Sequence, residues 1–580
     1  MIDKPHYSTY GLFKLVLQPE RRFYWLMLIY GIAVSALSLS VPLSVQVLIS
    51  TVVNAALVRQ VVVLALILLT LLLLSGLFAA TQVYLMELFE RRFFSRIVSE
   101  VTLRLAYARF SHMESINRDE LVNRYFDIMT VQKSLPTLLT GALATLLQAM
   151  VGVALTSFYH PVFLLFNVVV LFVAYLVYRV LDRGAARTSI DLSDAKYRAA
   201  RWLESLSRAN NFFKSRRTIN YAIKSTTSAR DEYVEGHRRH FRYTFTQVLG
   251  FLLLYATTSA ALLGVAGWLV IEGELTVGQL VAAELILTAI FFGLSRVGYY
   301  LELYYDLYAA MVKLSQLYSI PMENVTERDD IVSWEPTIKC EDVSAMLDGG
   351  EFRLNLEIPA GSRTLIFTRA SAQIKTFADL MLNFRRPDSG RLLLDDHDVD
   401  DFNEHRLRDE VHVIDSTFFP ECSVAEFMEI AAPGMTRAAM RDLLAACGLG
   451  SVVDSLPDGL DQLLTPYGYP LSVAGVIKLK IAYALACRPK VLVLTPLFDM
   501  LSQEARRMIM STLNSRPETT VLCFTHRGDL HGFDNYMLWD FSEQQQFNNA
   551  DALTAAYESV LEPEDDTVVA ARPAASAGKS

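Results

Sequence analysis

The chain has 580 residues, 52% of them hydrophobic and 20% charged, with a mean hydropathy of +0.28. Average soluble chains are about 45–50% apolar and about 25% charged, so a wholly soluble protein is excluded, and the dilution of the apolar content excludes a wholly membrane one. The net charge of −9 excludes the basic footprint of a nucleic-acid binder.

In chain order, six long apolar stretches come first, over residues 23–49, 61–85, 136–159, 161–180, 247–271 and 277–300. Each is close to or above the roughly 20 residues that cross hydrocarbon as a helix. The first is too long, and lacks the small-residue site, to be a cleaved secretory signal. Lysine and arginine crowd 86–135 (Arg91, Arg92, Arg96, Arg104) and 182–244 (Arg183, Lys196, Arg201, Arg216), while 157–160 and 272–276 hold neither. The positive-inside rule therefore places both long loops and both termini in the cytoplasm and leaves only tiny outer links. The two loops read as helical continuations of the spans, turning near 111–117 and 207–211.

Ionisable residues within spans are functional candidates. Glu284 and Arg296 share the sixth stretch, about 18 Å apart along an ideal helix, so they do not pair; Glu284 is the candidate for a transport cavity and Arg296 is expected to snorkel. Tyr300, Tyr304 and Tyr308 repeat at i, i+4 as a packing stripe.

Beyond a polar linker over 320–336, apolar β-rich runs (364–367, 411–414, 491–494, 520–524) alternate with helical patterns, which marks an α/β domain with a largely parallel sheet over 337–556. The tail 557–580 reads as disordered from its composition. The five cysteines (Cys340, Cys422, Cys447, Cys487, Cys523) show no CxxC or metal-ligand spacing, so reduced cytosolic thiols and no metal site are expected.

Several landmarks stand in a specific order. The segment 272–280 (EGELTVGQL) precedes the sixth stretch. The segment 369–376 (RASAQIKT) follows the strand 364–367, 471–490 (LSVAGVIKLKIAYALACRPK) precedes the strand 491–494, and His526 follows the strand 520–524. In this arrangement, over about residues 10–550, the chain resembles an ABC exporter half-transporter. The resemblance implies a multi-domain fold: an all-α six-helix transmembrane domain over 23–319 with long cytoplasmic extensions, after a cytoplasmic segment 1–22, and then an α/β ABC-type nucleotide-binding domain.

The resemblance also aligns the site residues. The phosphate-loop pattern GxxxxGK(S/T) keeps Ser371, Lys375 and Thr376 but has Arg369 and Ile374 at both glycines. Such a loop needs glycine because backbone N–H groups wrap the phosphates with no Cβ in the way. The acid that organises magnesium and the glutamate that activates water align with Thr495 and Pro496; threonine does not replace a carboxylate, and proline accepts no proton. Asp415 aligns with the expected glutamine, Leu347 with the adenine-stacking aromatic, and His526 with the switch histidine. The signature keeps Leu471, Ser472 and Gly475 but has Val473 and Ala474 within it.

No catalytic residue is assigned and the nucleotide site reads as vestigial. ATP with magnesium is expected only weakly or at a site shared with a partner. The expected role is the non-catalytic subunit of an exporter in the cytoplasmic membrane, paired with a competent half-transporter as a heterodimer, a homodimer being the other arrangement. The rival reading is an ATP-independent membrane scaffold or sensor. The substrate is not legible, since one fold serves many cargoes.

Overall fold

The computed structural model describes residues 18–54, 58–115, 125–294, 296–323, 335–347, 350–368, 371–527, 532–541 and 543–561. It divides into two units, Met1–Glu323 and Asn324–Ser580.

In the first unit, the single helix expected over 23–49 is two: α1 (Arg21–Ser38) and α2 (Ser40–Asn54). The break falls at Leu39, whose N–H reaches back only to Ala36 O at 3.3 Å. Pro42, in the first turn of α2, has no N–H to give, and its ring crowds the carbonyl four residues earlier. Helix α3 (Val58–Ala106) runs for 49 residues, roughly 70 Å at the helical rise, and exposes Leu66, Leu73 and Leu77 as a lipid-facing helix does.

The first cytoplasmic turn opens earlier than 111–117. Helix α3 stops at Ala106, Arg109 N–H bonds Pro321 O at 3.0 Å, Ala108 bridges Met322, and a short α4 (Phe110–Ser115) follows. The remainder of that expected turn, 116–117, lies outside the described residues.

Helix α5 (Tyr125–Thr137) contains Pro136 and passes through a π turn, Leu138–Ala142, into α6 (Leu143–Ser157). The wide turn sits directly after the proline, where a regular bond is missing. Helix α7 (Pro161–Arg208) begins with Pro161 in its first turn, under a His160 ring that accepts from Val162 N. Helix α8 (Arg216–Ile271) begins at a Ser215–Thr218 capping box. Between them, the second cytoplasmic turn includes residues 209–211 of the expected 207–211, while 207 and 208 still belong to α7. The long arms are joined by Arg198–Glu232 at 2.7 Å and by Trp202 Nε1 donating to Thr226 Oγ1 at 2.8 Å. At their other ends, His160 Nε2 meets Glu274 Oε2 at 2.8 Å, which ties the two short links together.

The sixth apolar stretch forms α9 (Val277–Leu294), and α10 (Val297–Tyr318) starts afresh with Arg296 at its N-cap. Among the described residues, five helical segments are long and apolar enough to cross a membrane, and Val277–Thr288 is a shorter apolar helix. Phe89, Phe93, Ile128, Val131, Met311 and Leu314 form a buried core where α3, α5 and α10 meet.

The second unit is α/β. Strands β1 (Ile338–Leu347), β2 (Gly350–Ile358), β4 (Ser389–Leu394) and β5 (His397–Asp398) form an antiparallel sheet in the order β2-β1-β4-β5. The main sheet contains β3 (Arg363–Thr368), β6 (Val411–Ile414), β9 (Val491–Leu494), β10 (Thr520–Phe524), β11 (Asn535–Trp539) and β12 (Gln544–Phe547), in the order β12-β11-β3-β10-β9-β6. Its strands from β11 to β6 are parallel, and β12 alone runs antiparallel. Strands β9 and β10 are buried at every position, which explains their unbroken apolar sequences. A two-strand ladder joins β7 (Cys422–Ser423) to β8 (Leu463–Leu464).

The helices of this unit are α11 (Ser371–Met381), α12 (Glu404–Glu410), α13 (Val424–Ala431), α14 (Arg437–Ala446), α15 (Gly450–Asp454), α16 (Val473–Cys487), α17 (Gln503–Asn514) and α18 (Ala550–Leu561). The last one corrects the boundary expected at 556. Helix α18 continues to Leu561, and Tyr557 packs its ring edge-on against Phe367 at 4.9 Å. The rest of the expected tail, 562–580, lies outside the described residues.

Candidate functional site

Because β3, β10, β9 and β6 are parallel neighbours, their C-terminal ends share one edge of the sheet, the edge where open α/β sheets bind ligands. That register gathers 369–376 after β3, His526 after β10, Thr495 and Pro496 after β9, and Asp415 after β6, although the sequence scatters them.

After β3, Arg369 lies outside the described residues, and α11 is already helical from Ser371. Ser371 is exposed at its start. Ile374 is turned into the sheet core beside Phe377, and Thr376 is buried as well. Lys375 lies along its own helix, with Nζ 2.7 Å from Asp379 Oδ2. Gln373 is buried and accepts from Thr368 Oγ1 through its side-chain oxygen.

After β9, the Thr495 hydroxyl is buried and donates to Ile414 O at 2.7 Å. Pro496 opens a short helical turn, Pro496–Met500. Asp499 in that turn accepts from Thr525 Oγ1 at 2.6 Å and from His526 N at 2.9 Å. The His526 ring, Nδ1 3.3 Å from Tyr557 OH, lies nearly parallel to the Tyr557 ring. Asp499 and Tyr557 escaped the sequence reading; an acid five residues past the β9 run was the available signal for the first, and a lone tyrosine in a polar tail gave none for the second.

Asp415 is exposed. Beside it, Lys480 of α16 donates to Ser416 O at 2.6 Å. Burial pulls the Lys480 ammonium below its ordinary range, and Asp415 acts in the opposite sense. Leu347 is half-buried at the end of β1. The signature-like residues lie at the start of α16 rather than at the strand edge. Leu471 and Gly475 are buried, and Ser472 is the N-cap, its Oγ accepting from Gly475 N at 3.1 Å.

The first unit holds a cavity of about 660 Å³ lined from α6, α7, α8, α9 and α10, with Tyr175, Tyr178, Tyr255, Tyr300 and Tyr304 as its aromatic wall. Two members of the expected packing stripe, Tyr300 and Tyr304, therefore face open space. Glu284 is not among the described lining residues, although its neighbour Ala283 is; its Oε2 is buried with no hydrogen-bond partner among the described residues.

These features define a class: the chain has the fold of an ABC exporter half-transporter and is a multi-pass membrane protein with its α/β unit in the cytoplasm. It superposes on a bacterial Atm1-family ABC exporter with ATP bound at a TM-score of 0.79 and 17% identity, over 95% of this chain and 99% of that one. In sequence it is similar to the ABC multidrug transporter mdr2 of Aspergillus fumigatus, 29% identical over 287 residues, which are 47% of this chain and 35% of the relative. It is also similar to the alpha-hemolysin translocation ATP-binding protein HlyB of Escherichia coli O157:H7, 22% identical over 51% of this chain and 43% of the relative. The ATM1-type heavy metal exporter of Novosphingobium aromaticivorans is 24% identical over 45% of this chain and 44% of the relative. The chain thus spans less than half the length of each of these curated relatives. No family model matches it.

Proposed function

We propose that the chain is the non-catalytic half of a dimeric ABC exporter, paired with an ATPase-competent half-transporter that supplies the hydrolytic chemistry. The observation that carries this reading is the end of β9, where Thr495 is committed to Ile414 O and Pro496 follows. Neither residue offers a carboxylate to a metal or a base to a water.

The residues present do not fit a magnesium–nucleotide complex. Four positions of the aligned phosphate loop, 371–374, are already helix, and Ile374 fills the core. Lys375 faces Asp379 instead. The nucleotide-site residues Ser371, Lys375, Thr376, Asp415 and His526 are accordingly vestigial, and no step is assigned to them. The α16 start, with Ser472 and Gly475, is the element that the resemblance would present to a partner's nucleotide, since a helix N-terminus favours an anion.

This reading differs from that of relatives named as ATP-binding or ATP-dependent. Coupling to the partner would run through the turn between α7 and α8, where Phe212 is 64% exposed.

Purification of the tagged full chain from its native membrane tests the reading. A stoichiometric ABC half with intact phosphate-loop glycines and catalytic glutamate is expected, and ATPase activity is expected only in the pair. A clean homodimer without ATPase would favour a scaffold or sensor instead.

A further inference from the structure

Helix α10 ends at Tyr318, and the chain leaves it for the α/β unit through residues 319–323. Pro321 has no N–H to continue the helix, but its carbonyl accepts from Arg109 N at 3.0 Å, and Glu323 N donates to Tyr107 O at 2.8 Å. These two bonds flank the bridge between Ala108 and Met322. The exit segment therefore runs antiparallel to the turn after α3 as a two-rung ladder. Arg109 Nε adds a bond to Met322 O at 3.3 Å, across 213 positions of sequence.

The ladder is seated on two supports. Ala108 and Ile320 are buried in the core that α3, α5 and α10 share. Tyr318 donates its hydroxyl to Glu100 Oε2 at 3.0 Å, while Arg104 donates to Tyr318 O at 3.3 Å and holds its guanidinium 4.3 Å from the Tyr318 ring centroid. Glu100 and Arg104 stand one turn apart near the foot of α3. The helix whose turn holds the exit segment thus also grips the last residue of α10. An isolated two-stranded ladder is marginal in water, and these two supports keep this one formed.

We infer that residues 319–323 are a strap that makes the foot of α3, the turn 107–109 and the start of the linker one mechanical body. A slack linker absorbs displacement by straightening, because a flexible chain resists extension only through its entropy. A strapped linker passes a displacement of the α/β unit to α3, which runs for 49 residues from that turn through the membrane. The linker then carries force into the spans in addition to any docking of the turns. Burial alone does not account for the ladder: Arg109 and Met322 are exposed, where water would satisfy their backbone groups as well. This inference rests on the export reading above, and it gives that protein a second coupling route.

The first measurement is hydrogen exchange on the full chain in nanodiscs of neutral phosphatidylcholine. The Arg109 and Glu323 amides should exchange roughly tenfold or more slowly than unpaired turn amides, the worth of one to two net hydrogen bonds. The second measurement uses the assembled pair. Arg109→Pro with Glu323→Pro deletes both rung donors, and transport per ATP hydrolysed should fall several-fold while the partner's ATPase continues. An antiparallel pair flanked by its bonds in this way holds its Cα atoms about 4.5 Å apart, within disulfide reach. Ala108→Cys with Met322→Cys should therefore crosslink on oxidation. The crosslink should leave transport by the otherwise unchanged pair intact, and should restore transport to the double-proline chain until dithiothreitol removes it.

Fast exchange of both amides would overturn the inference. So would unchanged transport in the double-proline chain, a loss that the disulfide does not reverse, or a block of transport by the crosslink alone, since the strap would then have to open in each cycle. The crosslink arm needs no proline, so a double-proline chain that fails to assemble still leaves the inference open to refutation. Exchange is read on the chain by itself, and its failure leaves the dimeric-exporter reading untouched. Protected amides in a chain that never assembles with an ATPase would instead remove that reading, and the coupling route with it, and keep the strap.

Discussion

Asp499 and Thr525 meet across the strand edge: the Asp499 carboxylate accepts from the Thr525 hydroxyl at 2.6 Å and from the next backbone N–H, that of His526, at 2.9 Å. Thr525 is only 1% exposed, so its hydroxyl has no water to fall back on. Asp499→Ala should therefore destabilise the α/β unit by about 2 kcal/mol, the cost of leaving a buried group without its charged partner. Asp499→Asn, which keeps an acceptor, should cost less. Denaturant melts of the full chain decide this, and equal stability of Asp499→Ala and the parent would refute it.

Hydrolysis should be absent from the purified chain alone, because Thr495 and Pro496 supply neither acid nor base. Pro496→Glu should not restore it, since 371–374 remain helical and Thr495 still lacks a carboxylate. Lys375→Ala should change stability by less than about 1 kcal/mol, as befits a half-exposed pair with Asp379. Magnesium-dependent turnover that vanishes in Lys375→Ala would contradict the non-catalytic reading.

The buried pair Lys313–Asp194 predicts an asymmetry. Lys313 is 6% exposed while the Asp194 side chain is 36% exposed. Asp194→Ala strands a buried ammonium and should cost about 3 kcal/mol, whereas Lys313→Met fills the same volume without charge and should be far milder. Thermal melts in detergent give the order, and the reverse order would contradict the assignment.

His240 gives the arms between spans and turn a pH dependence. Its Nδ1 is 3.1 Å from Thr188 Oγ1, and the ring stands edge-on to Tyr305. Burial lowers its pKa from the ordinary 6.5, with nearby His237 acting in the same sense and the Ala185 backbone opposing. The unfolded chain therefore binds the proton more readily than the folded one. The stability His240 contributes is complete above about pH 6.5 and is lost as the pH falls from there toward the lower folded value. The melting temperature of the parent should drop between pH 7.5 and 5.5 by more than that of His240→Gln; parallel profiles would remove His240 as the cause.

The exposed Phe212, stacked edge-on with Phe213 at 5.1 Å, is available for docking rather than for its own fold. In the assembled pair, Phe212→Ala should lower transport and the partner's ATPase together with no change in melting temperature. An unchanged ATPase would argue against coupling through this turn.

Apolar run length, loop charge and the alternation of strands with helices were enough to read the spans, their orientation and the α/β half from sequence, because each is a local consequence of solvent. Substitutions at fixed spacing, such as Ile374, Thr495 and Pro496, were legible for the same reason: a residue type limits what it donates or accepts wherever it stands. Only the tertiary structure decided how those positions are used. The parallel register of β3, β10, β9 and β6 brought distant loops to one edge, turned Ile374 inward and Lys375 onto Asp379, and gave Asp499 its partners. The helix breaks at Leu39 and after Pro136 depend on prolines within otherwise apolar runs, a signal that composition averages away. Bringing Tyr300 against Gly141 required helices far apart in sequence to pack side by side, and no local pattern encodes which faces meet.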